Sequence, residues 1–497
     1  MAGITSVPNR RSWFAVACSI AAVGCAGVTG TGVGGEGGSG GGGGGVVTVP
    51  VTPAAGGSSV IDAAAPGAGP DAQPGPCVGL QCQQVACPGA TTTVSGTVFA
   101  PNGKLPLYNV VVYVPNAPLD PVPAGVRCDR CGAVQSGKPV VTGLTDAEGK
   151  FKLNNVPAGT DIPLVMQVGK WRRKVTLAKV IACQDNPITD ANLTRLPRNR
   201  KEGDMPSVAI TTGSCDQLGC LLPKLGIDPA EFGVAGDDKA IIYYNAVGGV
   251  VGGPVGTVGT FGPPNMRPST DLWDSEAALS KYDVTLLSCE CGENLNNKSM
   301  ASFTAMTNYL AKGGRIFGSH FSYVWLNHST DPDLKAAIGF ESTKGLGKPP
   351  MTIDTTFPKG KAMADWMKFV DPAITYGEID SRQVFDNIAS VTPPTATSWA
   401  TSATTGGAGG NSPRIITVNT PAGAPADKQC GRAAHLDAHI TVDNEAGPMM
   451  PRAGGTFPAS CAGNLTNGET ALAFLFFDLS SCIQDDTKPV VPPIVIP

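Results

Sequence analysis

The sequence predicts a multidomain chain: a disordered Gly-rich N-terminal tether, an all-β sandwich, and a doubly wound α/β domain. Three observations carry that expectation. Residues 26–90 are mostly Gly, Ala, Ser, Pro and Val with few charges, and they close in a cysteine-rich lead-in. Residues 91–196 hold short β-branched and aromatic runs separated by turn signals. Residues 205–484 alternate strand-like with helix-like runs, and a Pro-rich tail, 485–497, follows.

The first 25 residues read as an export signal. Arg10 and Arg11 make a positive start, and residues 13–24 are an uncharged, mostly apolar run, shorter than the roughly 20 residues that span a bilayer. The ending AVGC, with Cys25 last, resembles a bacterial lipobox, although Ala22 stands where leucine is usual. The resemblance implies a lipid on Cys25, a membrane partner through that anchor, and a cell-envelope location as an outer-membrane lipoprotein. Cleavage after Ala26 would instead leave a plain secreted protein. The Gly-rich run behind Cys25 cannot bury enough apolar surface to offset its ordering entropy, and about 50 such residues reach roughly 40 Å as a flexible tether.

Composition agrees with export. The 497 residues include 64 Gly and 43 Pro, with 15% charged side chains and a formal net charge of -4. Such a balance excludes a nucleic-acid partner, because it offers no basic stripe for phosphates. The one dense basic patch, Lys170-Trp171-Arg172-Arg173-Lys174, lies in an alternating strand pattern and reads as a solvated face with strand ends.

Of the 15 cysteines, Cys18 and Cys25 belong to the signal. The rest are Cys77, Cys82, Cys87, Cys128, Cys131, Cys183, Cys215, Cys220, Cys289, Cys291, Cys430, Cys461 and Cys482, an odd set. In an exported chain they read as disulfide candidates with one thiol left over. Cys128 and Cys131 form a CxxC that could instead be redox-active or bind zinc, but a knuckle needs a second pair, and the nearest CxC, Cys289 and Cys291, is about 160 residues away.

In the β region Val94, Gly96 and Val98 alternate with polar neighbours, a PNGK turn follows, and YNVVVYV (108–114) is a β-branched strand. Residues 162–168 pair naturally with 173–180. The stretches VSGTVFAPNGKLPLYNVVVYV and TGLTDAEGKFKLNNVPAG resemble the carboxypeptidase regulatory-like domain, a transthyretin-like sandwich. That resemblance implies a spacer or adhesive module without catalytic residues. The insert 115–139, carrying Cys128 and Cys131, departs from it.

In the last region VAITTG (208–213), AIIYY (240–244), YDVTLLSC (282–289) and GGRIFGSH (313–320) read as strands. A Gly/Pro-rich loop occupies 247–264. Residues 299–312 read as a helix burying Phe303, Met306, Tyr309 and Leu310, and the apolar run 471–482 as a core helix. The segments KYDVTLLSC, YLAKGGRIFGSHF and CGRAAHLDAHI resemble the class I glutamine amidotransferase-like fold, a flavodoxin-like doubly wound sheet, and within it the trehalose-utilisation branch. In that fold the strand after Gly313-Gly314 ends at an elbow that carries a nucleophilic cysteine. Here the elbow residue is His320, so the resemblance does not extend to glutamine hydrolysis.

All four histidines fall in this region: His320, His328, His435 and His439. On a continuous strand His435, Asp437 and His439 would share one face, because side chains alternate with period 2. With His320 near that strand's end, the four residues could hold a divalent metal, and His320, Asp437 and His439 become catalytic candidates. The alternative is that they are polar strand and loop residues of a degenerate site, with no cofactor. Glu290 and Glu293 lie where open α/β sheets bind ligands, or simply cap the next helix. The whole layout resembles bacterial, myxobacterial-type surface lipoproteins. Chains of that kind are sometimes called tryptophan synthase alpha chain, but no eightfold β/α repeat is visible here. Two functions follow: an anchored, non-catalytic surface protein binding a carbohydrate or surface-protein ligand, or a metal-assisted hydrolase of carbohydrate-related substrates.

Overall fold

The computed structural model describes residues 76–495 except 214, 217, 246–264, 406–409, 441–460 and 462. The export signal, Cys25, the tether up to residue 75 and the Gly/Pro-rich loop at 247–264 lie outside the described residues. Seven strands form the first body: β1 (Thr93–Thr97), β2 (Val111–Pro115), β3 (Pro139–Leu144), β4 (Lys150–Asn154), β5 (Gly159–Val168), β6 (Trp171–Val180) and β7 (Asp185–Ile188). They make two sheets, ordered β4-β1-β7 and β3-β2-β5-β6. The expected 162–180 hairpin is present as antiparallel β5 and β6, with Ile162 opposite Leu177 and Leu164 opposite Val175. Alternation buries Val94, Val112, Val114, Phe151, Leu153, Leu164 and Met166 between the sheets.

The second body has β8 (Val208–Thr211), β9 (Phe232–Val234), β10 (Ile241–Asn245), β11 (Arg267–Pro268), β12 (Val284–Leu287), β13 (Arg315–Ser319), β14 (Ile338–Gly347), β15 (Met351–Ile353), β16 (Glu378–Ile379), β17 (Gln383–Val391), β18 (Ala396–Ala403), β19 (Asn411–Thr420), β20 (Gly431–Leu436) and β21 (Ala438–His439). The main sheet runs β11-β10-β8-β12-β13-β20-β19-β18-β15-β16, with β9 beside β10. Its half from β11 to β20 is parallel. From β19 to β16 it is antiparallel. A small sheet, β14-β17-β21, stands apart.

Both faces of the parallel half are covered, as near-continuous apolar strands require. Val208, Ile210, Leu286, Phe317 and Leu436 face one core. Ala209, Leu287, Ile316 and Ala433 face the other, under the helix Met300–Ala311. That helix buries Phe303, Met306, Tyr309 and Leu310, the face its spacing predicts, and Ser299 and Ser302 form its capping box.

The helix Asn467–Ser480 is apolar all round and buried along nearly its whole length. It lies between the two bodies: Phe474 stacks on Tyr108 at 5.7 Å and meets Trp366 and Trp399, while Phe477 meets Trp171. One continuous apolar core therefore runs from the sandwich to the main sheet. At this helix's far end Lys359 Nζ donates to Asp478 (2.7 Å) and Asp486 (2.9 Å), and Arg432 pairs with the same two carboxylates. Asp486, in the Pro-rich tail, is thus a buried anchor. Lys170 and Arg172, read from the sequence as a solvated face, turn inward instead to Asp283 and Asp204, whose carboxylates compensate their burial. Among the described residues no helix is long and apolar enough to cross a membrane.

Six disulfides join Cys77–Cys82, Cys87–Cys183, Cys128–Cys430, Cys131–Cys482, Cys215–Cys291 and Cys220–Cys461. The insert after β2 carries two of them across to the second body, so Cys128 and Cys131 do not act as a CxxC pair. Among the described residues Cys289 is the leftover thiol, which corrects its inclusion among the disulfide candidates. Its neighbour Cys291 takes Cys215, and Cys289 turns into the sheet edge instead.

Candidate functional site

Three side chains converge at the C-terminal edge of adjacent parallel strands, where open α/β sheets present their ligand sites. Cys289 lies two residues past β12 and is fully buried. Gly213, just beyond β8, permits that approach: a Cβ there would lie 2.2 Å from the Cys289 carbonyl oxygen. His320 follows β13 directly and has φ +41°, a left-handed conformation that costs energy in a non-glycine residue and aims the ring across the strand ends. His439 ends β21, paired with Gln383 of β17.

The three donors form a tight triangle. His320 Nδ1 is 3.0 Å from His439 Nε2, and Cys289 Sγ is 3.5 Å and 3.3 Å from those nitrogens. Phe385 stacks on the His320 ring, 8° from parallel, and meets the His439 ring edge-on at 4.7 Å. The Cys215–Cys291 disulfide lies alongside, with Cys215 Sγ, Cys289 Sγ and a His439 nitrogen all within 4.8 Å of one another. His320 and His439 are 3% and 8% exposed, so the cluster is shielded from bulk water, with its residual exposure at His439.

Burial sets the protonation states. It pushes the Cys289 thiol up to about 12, against the backbone amides of Phe321 and Cys291, which favour the thiolate. Burial, helped by the Arg382 charge, lowers His439 to about 4. At neutral pH a thiol therefore faces a neutral His439 imidazole, not the thiolate–imidazolium pair of an activated cysteine nucleophile. What the site offers is lone pairs.

The residues grouped by strand alternation do not all meet here. The chain breaks at Asp437, so His435 stays in β20, opposite Gly318 and Ile416, while His439 joins the small sheet. Burial lowers His435 to about 3, and neither ring nitrogen has a hydrogen-bond partner among the described residues. Asp437 Oδ2 accepts from the backbone amides of Asn387 (2.7 Å) and Ile388 (3.3 Å), and burial raises it to about 7. Its carboxylate thus ties the break between β20 and β21 to the backbone of β17, with Arg414 Nη1 3.9 Å away. His328 stacks on Phe303, away from the triangle.

Glu290 accepts from Lys298 and Asn294, and Glu293 accepts from Tyr323 OH, so neither caps the following helix. Sequence reasoning missed Cys289 as a site residue. Its signal was the odd cysteine count together with its place just past a buried parallel strand.

Neither a family model nor a curated protein matches the chain. Among solved structures it is similar to a cytoplasmic protein from Salmonella typhimurium at 12% identity, covering 56% of this chain and 100% of that one, with a TM-score of 0.28. It is also similar to two type II cohesin–X-dockerin complexes from Acetivibrio cellulolyticus. These match at 17% and 20% identity, over 25% and 28% of this chain and 78% and 85% of theirs, with TM-scores of 0.15 and 0.16. Likeness this slight carries no argument about function.

Proposed function

We propose that this is an exported cell-envelope protein, held to the membrane by a lipid on Cys25, whose rigid body presents a non-catalytic binding surface to a carbohydrate or surface protein. On this reading the first body is a carboxypeptidase regulatory-like sandwich and the second a glutamine amidotransferase-like α/β domain. The observation that supports it is the pairing of twelve cysteines in six disulfides, which persist in oxidising compartments and are rare in the cytosol. Labelled fatty acid and fractionation test it. The native chain should carry label and sediment with membranes, and Cys25→Ala should lose both. Recovery of the native chain from the cytosol with all thiols alkylatable would overturn the proposal.

A second reading, metal-assisted hydrolysis of carbohydrate-related substrates, is favoured by one observation, the contact of His320 with His439 beside a buried thiol. Asp437 is engaged elsewhere, so a water activated there would depend on the metal and the two imidazoles. Turnover of chromogenic glycosides and esters by the metal-loaded chain, lost in His439→Ala, is the expected result of that reading.

A further inference from the structure

We infer that Cys289, His320 and His439 form a three-ligand site for a zinc-class divalent cation, with a fourth position left open for water or an exogenous ligand. This deepens the second reading above: it keeps the metal, replaces Asp437 and His435 with Cys289, and stands even if nothing is hydrolysed.

Zinc holds imidazole nitrogen at about 2.0–2.1 Å and thiolate sulfur at about 2.3 Å, so tetrahedral ligand atoms stand about 3.3–3.6 Å apart. The observed separations are 3.0, 3.3 and 3.5 Å. The circle through these three atoms has a radius of about 1.9 Å, so an ion about 0.9 Å off their plane meets all three at close to ordinary bond lengths. The donor chemistry agrees: one thiol with two imidazoles suits zinc, copper or iron and not calcium or magnesium, which take oxygen ligands.

The neighbouring disulfide sets the coordination number. Cys215 is within reach of the site, but its sulfur is bound to Cys291 and offers no thiolate. A closed four-ligand structural centre is thereby prevented, and three protein ligands with an open position are what catalytic zinc sites retain. Phe385, stacked on His320 and edge-on to His439, holds both rings in ligating orientation. Binding exchanges the Cys289 S–H proton for the metal: the S–H bond breaks, the metal–sulfur bond forms, and one proton leaves to solvent per ion bound. No electrons move.

The test uses the full oxidised chain, stripped with chelator and titrated with Zn²⁺ or Co²⁺. One ion should bind per chain with release of one proton, and cobalt should show a thiolate-to-metal charge-transfer band that shifts when azide is added. Cys289→Ser and His439→Ala should each weaken zinc binding by more than about 100-fold, while His328→Ala leaves it unchanged. Because either variant could misfold, alkylation of the fully buried Cys289 through local opening of the native chain provides an independent measure, and zinc should slow it strongly. Absence of stoichiometric binding, a cobalt spectrum without the thiolate band, or equal alkylation rates with and without zinc would overturn the inference. Metal binding without turnover would overturn only the hydrolase reading.

Discussion

Two buried polar clusters in the second body are built in opposite ways. The cluster under the main sheet, Lys359, Arg432, Asp478 and Asp486, balances two cations against two carboxylates. The cluster at the strand ends, Cys289, His320 and His439, has no formal charge at its thiol or at the neutral His439 ring, and holds its three ligand-type atoms in mutual hydrogen-bond contact. The first balances its formal charges among its own members, with Thr417 also donating to Asp486, and its chemistry is that of a fold anchor. The second pairs donors that would each do better around a cation. Burial alone therefore does not mark a functional site; the convergence of metal-ligating atom types does.

The largest way to break that comparison is Asp486→Ala. It leaves Lys359 and Arg432 short of a buried counter-charge, so urea unfolding should show a loss of about 3–5 kcal/mol. A loss below about 1 kcal/mol would mean that Asp478 alone suffices to balance both cations. Next in size, replacing both Cys131 and Cys482 by serine opens a closure across 351 residues and should cost about 2–4 kcal/mol in the same measurement.

Acid should follow. His435 is held neutral, so the unfolded chain binds a proton below about 6.5 that the folded one refuses until about 3. Its contribution is fully present above pH 6.5 and lost as pH falls through that window, about 2 kcal/mol by pH 5. His435→Gln should flatten that slope in denaturant titrations. The smallest effect belongs to Cys289→Ser, which should cost about 1 kcal/mol, the hydroxyl taking over the thiol's contacts with the two imidazoles. If it destabilised the protein as much as Asp486→Ala, the strand-end cluster would be a structural one like its counterpart.

Local features were legible in the sequence. The hairpin of β5 and β6, the buried face of the helix 300–311, and the count of six pairs with one leftover thiol all follow from alternation, helical spacing and parity. What distance decides was not. Nothing local shows that Cys131 reaches Cys482, that Lys170 and Arg172 find carboxylates, or that the antiparallel half from β19 to β16 extends the parallel sheet. The site fell between the two. His320 and His439 were readable as chemistry, but the break at Asp437 sends His435 and His439 to different sheets. Cys289 could be chosen as the odd thiol only once its twelve fellows had partners.

The staples from the sandwich insert also say something about time. If the chain is threaded N-terminus first into an oxidising compartment, Cys128 and Cys131 arrive 302 and 351 residues before Cys430 and Cys482, and in that interval each is the other's nearest thiol. A bond made between them on the way out would be the wrong one, and the central helix that welds the two bodies arrives only with residues 467–480. Maturation of this chain is therefore an editing problem, in which early pairings must stay reversible until the last forty residues appear.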